Sequence, residues 1–374
     1  MSSNGRVAVV GAGLHPFGHV PDKTVEELGR QAALDALADA GLSYRDVQAG
    51  FLARVTQLGI GVGQRVFGEL GLTGIPVTNI ELACASSSRG VMLAAEAIRA
   101  GSVDVAMVIG VEKMGRGMLQ PAGERSYQAV LGLTIMPGIY AMMAHRHMYR
   151  YGTKPEHFAQ VSVKSHRNAV HNSCAQYRVA LTLEEVLNSR MIADPITLYQ
   201  CCPTSDGASA IVLASERRAR QLTTSPVFLT AWAGGTPVFD PDEPGLSEGP
   251  TPLLARRVYD AAGLGPEDVD LCQVHDAFTP GEIFTIEELG LVPAGEGGPF
   301  VWEGGTEISG RMPVNTDGGL LSRGHPMGAT GGAMIAEIVR QLRGQAGPRQ
   351  VANAGVGLVQ NAGIGGVNVM AFHR

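Results

Sequence analysis

Apolar and polar positions along this chain follow two periods, and the switching between them marks out an α/β protein. Residues 7–10 are an unbroken apolar run, the pattern of a strand buried on both faces. Residues 25–40 repeat their apolar positions every three to four and stop at Gly41, which reads as a helix with its C-terminal breaker. Strand-like stretches follow at 50–55, 105–110 and 209–214. A second helical run at 253–262 precedes another strand at 271–274. No apolar run approaches the roughly 18 residues that a membrane span needs. Residues 1–6 lead straight into the first strand without a signal-peptide pattern.

Two of these helical runs are versions of one another. Residues 84–99 (C-A-S-S-S-R-G-V-M-L-A-A-E-A-I-R) superpose without a gap on 325–340 (H-P-M-G-A-T-G-G-A-M-I-A-E-I-V-R), an offset of 241 (325 − 84). Each opens on small residues and continues as an apolar-periodic helix. A second match, A-G-L…D-V at 40–47 and again at 262–269, has an offset of 222. Each copy of it follows a helix and precedes a strand, and strands expected at 105–110 and 351–355 follow the longer match. Two matches in the same order point to a duplicated chain rather than to chance likeness between alanine-rich helices. Cys84 and His325 then stand at the N-terminal ends of equivalent helices. In a pseudo-twofold fold those ends can meet at the axis, where a thiol and an imidazole make a nucleophile and a base.

Composition narrows the function. The 374 residues suffice for two domains with large cores. Fifty glycines, a 45% hydrophobic share and 5% aromatics describe a tightly packed, aliphatic, alanine-rich interior. A formal net charge of −6 argues against nucleic acid as the main partner. Five cysteines, at 84, 174, 201, 202 and 272, are an odd number without metal-ligand spacing, which fits reduced thiols in the cytoplasm and no metal site. Residues 1–114 with 201–226 are expected as the first half and 227–374 as the second. Residues 115–200 break the rhythm and hold His145, His147, His157, His166 and His171. They read as a solvated insertion covering the first half. A Gly/Pro/Asp-rich linker is expected at 234–252, and a loop at 293–313.

The chemistry concentrates at a few positions. A thiol at a helix N-terminus feels the positive end of the helix dipole and free backbone N–H groups, which lower its pKa and can hold an oxyanion. That is the expectation for Cys84. His325, in G-H-P-M-G, is confined by glycine and proline and serves as a base or a structural cap. His275, in V-H-D-A-F, ends an apolar strand, where sites of α/β sheets form. Asp276 either orients a histidine or caps the helix starting near Thr279. The run N-A-G-I-G-G at 361–366 offers backbone N–H groups for a cradle, or simply a tight turn. Gly11-Ala12-Gly13 is not a dinucleotide fingerprint, since Pro16 stands where the third glycine belongs. Cys201 and Cys202 read as packing near the site.

Over nearly its whole length the sequence resembles the thiolase superfamily. The residues that carry the resemblance are A-C-A-S-S-S around Cys84, G-V-E-K-M at 110–114, C-C-P-T-S-D-G-A-S-A at 201–210, H-D-A-F at 275–278, G-H-P-M-G-A-T-G at 324–331 and N-A-G-I-G-G at 361–366. H-D-x-F in place of N-E-x-F is similar to the sterol-carrier-protein-2 type and its bacterial and archaeal relatives. The resemblance implies two βαβαβαββ halves in a five-layer α-β-α-β-α sandwich, with 115–200 as a loop domain over coenzyme A. It implies a homodimer, or a tetramer made of two such dimers. It casts Cys84 as acyl acceptor and His325 as its activator. His275 with His325 would form one oxyanion hole, and the N–H groups of Cys84 and Gly363 a second. Coenzyme A would be a co-substrate, with no cofactor permanently bound. Two positions depart from the family. Asn361 stands where conventional thiolases carry a second cysteine, and Ala277 where the sterol-carrier type carries one. Relatives with this Cys-His-His pattern work with a small OB-fold and zinc-ribbon partner of the DUF35 kind.

The implied activity is CoA-dependent cleavage of a β-ketoacyl-CoA, or the reverse Claisen condensation, through an acyl-Cys84 thioester. A bulky or aromatic substrate such as 2-benzoylsuccinyl-CoA, giving benzoyl-CoA and succinyl-CoA, is within the range. Two alternatives stand beside it: a retro-aldolase of the lipid-transfer type, which needs no thiolate, and a non-catalytic acyl-CoA-binding subunit.

Overall fold

The computed structural model describes residues 5–56, 59–115, 135–222, 225–237 and 249–374. The strands are β1 (Val7–Gly18), β2 (Ala49–Ala53), β3 (Val77–Ile80), β4 (Val105–Lys113), β5 (Met191–Ala193), β6 (Ile196–Thr197), β7 (Asp206–Ser215), β8 (Val227–Gly235), β9 (Leu271–Gln273), β10 (Val356–Gly363) and β11 (Gly366–His373). Nine of them form one mixed sheet in the order β3-β2-β4-β7-β1-β8-β11-β10-β9, and β5 with β6 makes a separate ribbon. The order mirrors itself about the β1–β8 junction. There Val7 pairs with Leu229 and Val9 with Val227, antiparallel. Beyond β9 a parallel bridge from Cys272 to Val314 stands where the mirror image of β3 would be.

The period-two pattern of the strands separates three cores. Val7, Val9, Ile211 and Leu213 face the central core, whereas Ala8, Val10, Ala210 and Val212 face an outer core under the Val25–Ala40 helix. On the other half Met370 and Phe372 face the centre, while Val369 and Ala371 face a third core under the Thr251–Ala262 helix. The Ser86–Arg99 and Met327–Leu342 helices fill the central core. This is the five-layer sandwich that the resemblance implies, the two halves of the one sheet supplying the β layers on either side of the central helices. Gly11 and Gly13 have a packing role: a Cβ on either would lie 2.1 Å from the carbonyl oxygen of Ala36 or Ala32, so only glycine lets that helix settle on β1.

The internal repeat is visible atom by atom. The two central helices begin at equivalent positions, Ser86 and Met327, 241 apart. Gly41 and Gly263 end equivalent helices in the left-handed conformation, at φ 65° and 68°. In the turns that follow, the Asp46 carboxylate accepts the Ser43 N–H (2.9 Å) and the Asp268 carboxylate accepts the Gly265 N–H (2.7 Å). One expected strand moves: residues 351–355 form a turn and β10 starts at Val356. The Asp270 carboxylate, accepting the N–H groups of Gly355 (2.8 Å) and Val356 (2.9 Å), pins that turn just ahead of the strand.

The insertion departs from expectation. Its Met136–Tyr151 and Pro155–Ala169 helices pack against the second half, not over the first. Ala144, Phe158 and Val161 enter the third core beside Ile283 and Leu321. Fully buried Lys164 donates to the Glu282 carboxylate and to the Val314 carbonyl (2.9 Å), fixing the two parts together. Nor are its histidines all solvated, because His147, His157 and His166 are buried. Residues 116–134 of the insertion and 238–248 of the expected linker lie outside the described residues. The expected loop at 293–313 contains a short helix, Gly297–Trp302.

Candidate active site

Cys84 sits in the turn between β3 and the Ser86–Arg99 helix. Ala83, at φ 44°, is in the left-handed region, a conformation that costs a side-chain-bearing residue about 1–2 kcal/mol and persists only where the surroundings enforce it. They do so here. Ser86 Oγ accepts the Leu82 N–H (2.8 Å) and donates to the Ala83 carbonyl (2.6 Å), and the Glu81 carboxylate accepts the Ala83 N–H (2.7 Å). The turn aims the thiol along the pseudo-twofold axis.

From the other half, His325 arrives in the equivalent turn. Its backbone N–H donates to Ser205 Oγ (2.9 Å). Three residues on, the Gly328 N–H donates to Glu112 (2.9 Å), whose buried carboxylate also takes the N–H groups of Val55 and Thr56 (3.0 Å each). The ring's Nδ1 lies 2.8 Å from Thr330 Oγ1, and that hydroxyl gives its own hydrogen to the Pro326 carbonyl (3.0 Å). Thr330 must therefore accept from Nδ1–H, which leaves Nε2 with a bare lone pair. Nε2 stands 3.2 Å from Cys84 Sγ.

His275 follows β9. Its N–H donates to the Gln360 side chain (3.2 Å), and its ring lies edge-on to His325, centroid to centroid 5.3 Å. The Asn361 amide nitrogen faces its Nδ1 at 3.2 Å, while Asn361 Oδ1 accepts from Ser88 Oγ (2.7 Å). Because an amide N–H can only donate, His275 Nδ1 accepts and Nε2 carries the ring proton. Cys84, His275 and His325 each bring a side-chain ligand atom within 4.8 Å of the others. Gly363 belongs to the same neighbourhood. It ends β10, and a Cβ there would fall 2.3 Å from the Leu82 carbonyl oxygen and 3.1 Å from the Ala85 nitrogen.

Asp276 neither orients a histidine nor caps the Thr279–Glu288 helix. Its side chain instead accepts the Leu320 N–H (2.7 Å) and abuts Gly319.

The family model for the thiolase N-terminal domain matches residues 7–217, and that for the thiolase C-terminal domain matches 247–371. The chain belongs to the thiolase family. It is 40% identical to an acetyl-CoA acetyltransferase of Methanothermobacter thermautotrophicus over 96% of each chain. It is 37% identical to the benzoylsuccinyl-CoA thiolase subunit BbsB of Thauera aromatica, over 92% of this chain and 91% of that one. Among solved structures it superposes on an Ltp2-ChsH2(DUF35) aldolase with a TM-score of 0.86 at 29% identity, covering 98% of this chain and 97% of that one. These likenesses make the protein a thiolase-type acyltransferase with CoA as co-substrate.

The electrostatics of this thiolase site differ from the expectation of a low-pKa thiolate. Burial, then the nearby Glu112 carboxylate, push the Cys84 thiol up to about 12, and hydrogen bonding by its own backbone only partly opposes this. Burial, with His275 and Arg323 close by, holds His325 well below the ordinary imidazole value. Burial, with Arg323, brings His275 down to about 3. All three groups rest neutral. The helix end does not outweigh a dry surround, so Cys84 waits as S–H against a base already free to take its proton. Thr330, Glu112 and Ser205 went unremarked in the sequence as working residues. Glu112 carried a signal, a carboxylate at the end of the otherwise apolar β4. Thr330 lies five residues along the chain from His325, and one turn of helix brings its hydroxyl back under the imidazole ring.

Proposed function

We propose that this thiolase uses Cys84 as its covalent nucleophile. His325 Nε2 takes the thiol proton as the sulfur attacks a thioester or β-ketone carbonyl, giving an acyl-Cys84 thioester. His275 Nε2–H, neutral and aimed into the same space, donates to the developing oxyanion, and the N–H groups of Cys84 and Gly363 serve the second tetrahedral oxyanion. Asn361 holds His275 in the donor tautomer. The observation that carries this reading is the 3.2 Å approach of a tautomer-fixed imidazole to Cys84 Sγ. Coenzyme A would enter beside the inserted helices, with residues 115–200 as a loop domain inserted within the first half (1–114 plus 201–226) and 227–374 as the second half. The likeness to BbsB supports a bulky or aromatic acyl group, such as that of 2-benzoylsuccinyl-CoA. Its description as a subunit, and the DUF35 protein in the aldolase structure, support a small OB-fold and zinc-ribbon partner, and we propose a homodimer as the unit that binds it. No helix among the described residues is long and apolar enough to cross a membrane, and we place the reaction in the cytoplasm.

The aldolase structure favours one second reading, retro-aldol cleavage on the same scaffold. A covalent test separates the two. Intact mass is measured after incubation with acetyl-, succinyl- and benzoyl-CoA. The thiolase reading expects a gain of one acyl group that Cys84→Ala abolishes, and the retained group identifies the substrate class. Absence of an adduct from every donor, with and without a DUF35-type partner, would leave the aldolase reading standing.

A further inference from the structure

Cleavage and condensation move two protons that the Cys84–His325 pair does not handle. The carbanion left when C2–C3 breaks must be protonated, and the incoming CoA thiol must lose its proton. His325 is committed to Cys84. His275 offers only a donor hydrogen, since its Nδ1 lone pair is engaged by Asn361. Asp276 faces away, against Gly319.

The segment 201–204 threads between the two histidine turns. Cys201 bridges Phe278 antiparallel, the Cys202 N–H donates to the Ala277 carbonyl (2.9 Å), and Thr204 bridges His325. With 201 opposite 278 in this isolated antiparallel bridge, the backbone of Cys202 is opposite that of Ala277. His275 is two residues before Ala277 on the same segment, which puts its backbone on the order of 7–8 Å from that of Cys202. Cys201 is engaged elsewhere, its Sγ donating to the Thr197 carbonyl (3.4 Å).

We propose that Cys202 is the second acid–base thiol of this site, serving C2 of the substrate and the sulfur of CoA. This rests on the thiolase reading above. In cleavage, the Cys84–acyl bond forms as C2–C3 breaks, and the Cys202 S–H proton goes to C2. In the return step, the incoming CoA S–H gives its proton to the Cys202 thiolate while its sulfur bonds the acyl carbon. The Cys84–acyl bond breaks, and Cys84 recovers its proton from the His325 imidazolium. No oxidant or further reactant is needed. Burial, then the nearness of Cys84, push the Cys202 thiol well up, so it is protonated at rest, as an acid requires. Tyr140, whose ring stacks on Phe278 at 4.8 Å, is the competing donor.

The test exploits leaving-group demand. Acylation of Cys84 by acetyl-CoA needs an acid for the departing CoA sulfur, whereas S-phenyl thioacetate expels a thiolate stable enough to leave unaided. In Cys202→Ser and Cys202→Ala, Cys84 labelling by acetyl-CoA should fall about 100-fold or more, the range of a lost general acid. Labelling by S-phenyl thioacetate should stay within about threefold of wild type. Unchanged labelling by acetyl-CoA, equal loss with both donors, or the same split appearing in Tyr140→Phe instead would each overturn the assignment. A wild-type chain labelled at Cys84 by neither donor would overturn the thiolase reading, and Cys202's role with it.

Discussion

Thr330→Val removes one hydroxyl and leaves the shape of the side chain. The structure gives that hydroxyl two jobs, accepting from His325 Nδ1–H at 2.8 Å and donating to the Pro326 carbonyl at 3.0 Å, and it is fully buried. Without it, Nδ1–H loses its buried acceptor, at a cost of about 1–3 kcal/mol. The ring can escape that cost by moving its proton to Nε2, the face toward Cys84, and it is then no longer a base there. Either way the base-competent state is raised by about 1–3 kcal/mol, which at about 1.4 kcal/mol per decade slows acylation roughly 5- to 150-fold. Thr330→Ser keeps the hydroxyl and should stay within about threefold of wild type, since the loss of a methyl leaves the hydrogen bond in place. The assay is single-turnover acylation of Cys84 by S-phenyl thioacetate, followed by quenched intact mass, with thermal melts confirming that both variants fold. A Thr330→Val protein that acylates at the wild-type rate would refute the tautomer argument and the assignment of His325 as base.

The raised Cys84 thiol predicts that its alkylation by iodoacetamide climbs steadily from pH 6 to pH 10; a plateau near neutrality would show a preformed thiolate instead. His275 and Asp276 tilt stability in opposite directions. With His275 brought down to about 3, the unfolded chain takes up the proton first below about 6.5, so its contribution is lost as pH falls. With Asp276 raised to about 7 by burial and the nearby Glu282, its contribution is complete below about 3.9 and is lost as pH rises through 7. Between pH 4 and 7, His275→Asn should therefore gain stability on acidification relative to wild type, and Asp276→Asn should lose it, each on the order of a few kcal/mol by chemical denaturation. Parallel curves for the two variants would contradict both assignments. Glu282→Gln leaves Lys164 as a buried cation without its counter-charge and should destabilise the fold by about 3–5 kcal/mol, while Lys164→Met with Glu282→Leu should recover much of that loss. A single variant with an unchanged denaturation midpoint would show that the pair is not buried in solution.

The fold was legible in the sequence because its duplication is written in residues that cannot drift freely. Gly41 and Gly263 must adopt positive φ, and Asp46 and Asp268 must hold the N–H groups of their own turns. The meeting of Cys84 and His325 was legible for a related reason. Small residues at the helix starts signal a close crossing even before the partner is known. What the sequence hid were relations between segments distant along the chain. Nothing local to residues 135–169 says that Phe158 and Lys164 belong to the second half, because their partners, Ile283 and Glu282, lie more than a hundred positions away. The same holds for the histidines: a helix with scattered polar residues reads as solvated until its buried face is known. The Cys84 error has another origin. The helix dipole is a local property and can be read from sequence, whereas desolvation sums everything packed around the thiol, including Glu112 from β4.

The duplication also explains why two unlike residues meet. Equivalent helices crossing at a pseudo-twofold axis bring equivalent positions together, so position 84 of one copy must face position 325 of the other. The crossing is close because its contacts are small. Ser87 Oγ accepts the Gly332 N–H (2.9 Å), and a Cβ on Gly331 would fall 2.6 Å from the Ser88 nitrogen and 2.5 Å from Asn361 Oδ1. Gly331→Ala should therefore do more than destabilise. It pushes the helices apart at the point where Asn361 steadies His275, so both histidines lose registry with Cys84. A shift on the order of 1 Å at a reacting centre costs about 100-fold in rate. Acylation of Cys84 should fall by that factor in protein that still melts cooperatively, whereas Gly344→Ala, at a glycine with open space around it, should leave acylation untouched despite the strain of its φ of 72°. If Gly331→Ala acylates normally, the crossing has slack, and the geometry at Cys84 is set by its own turn rather than by the meeting of the two halves.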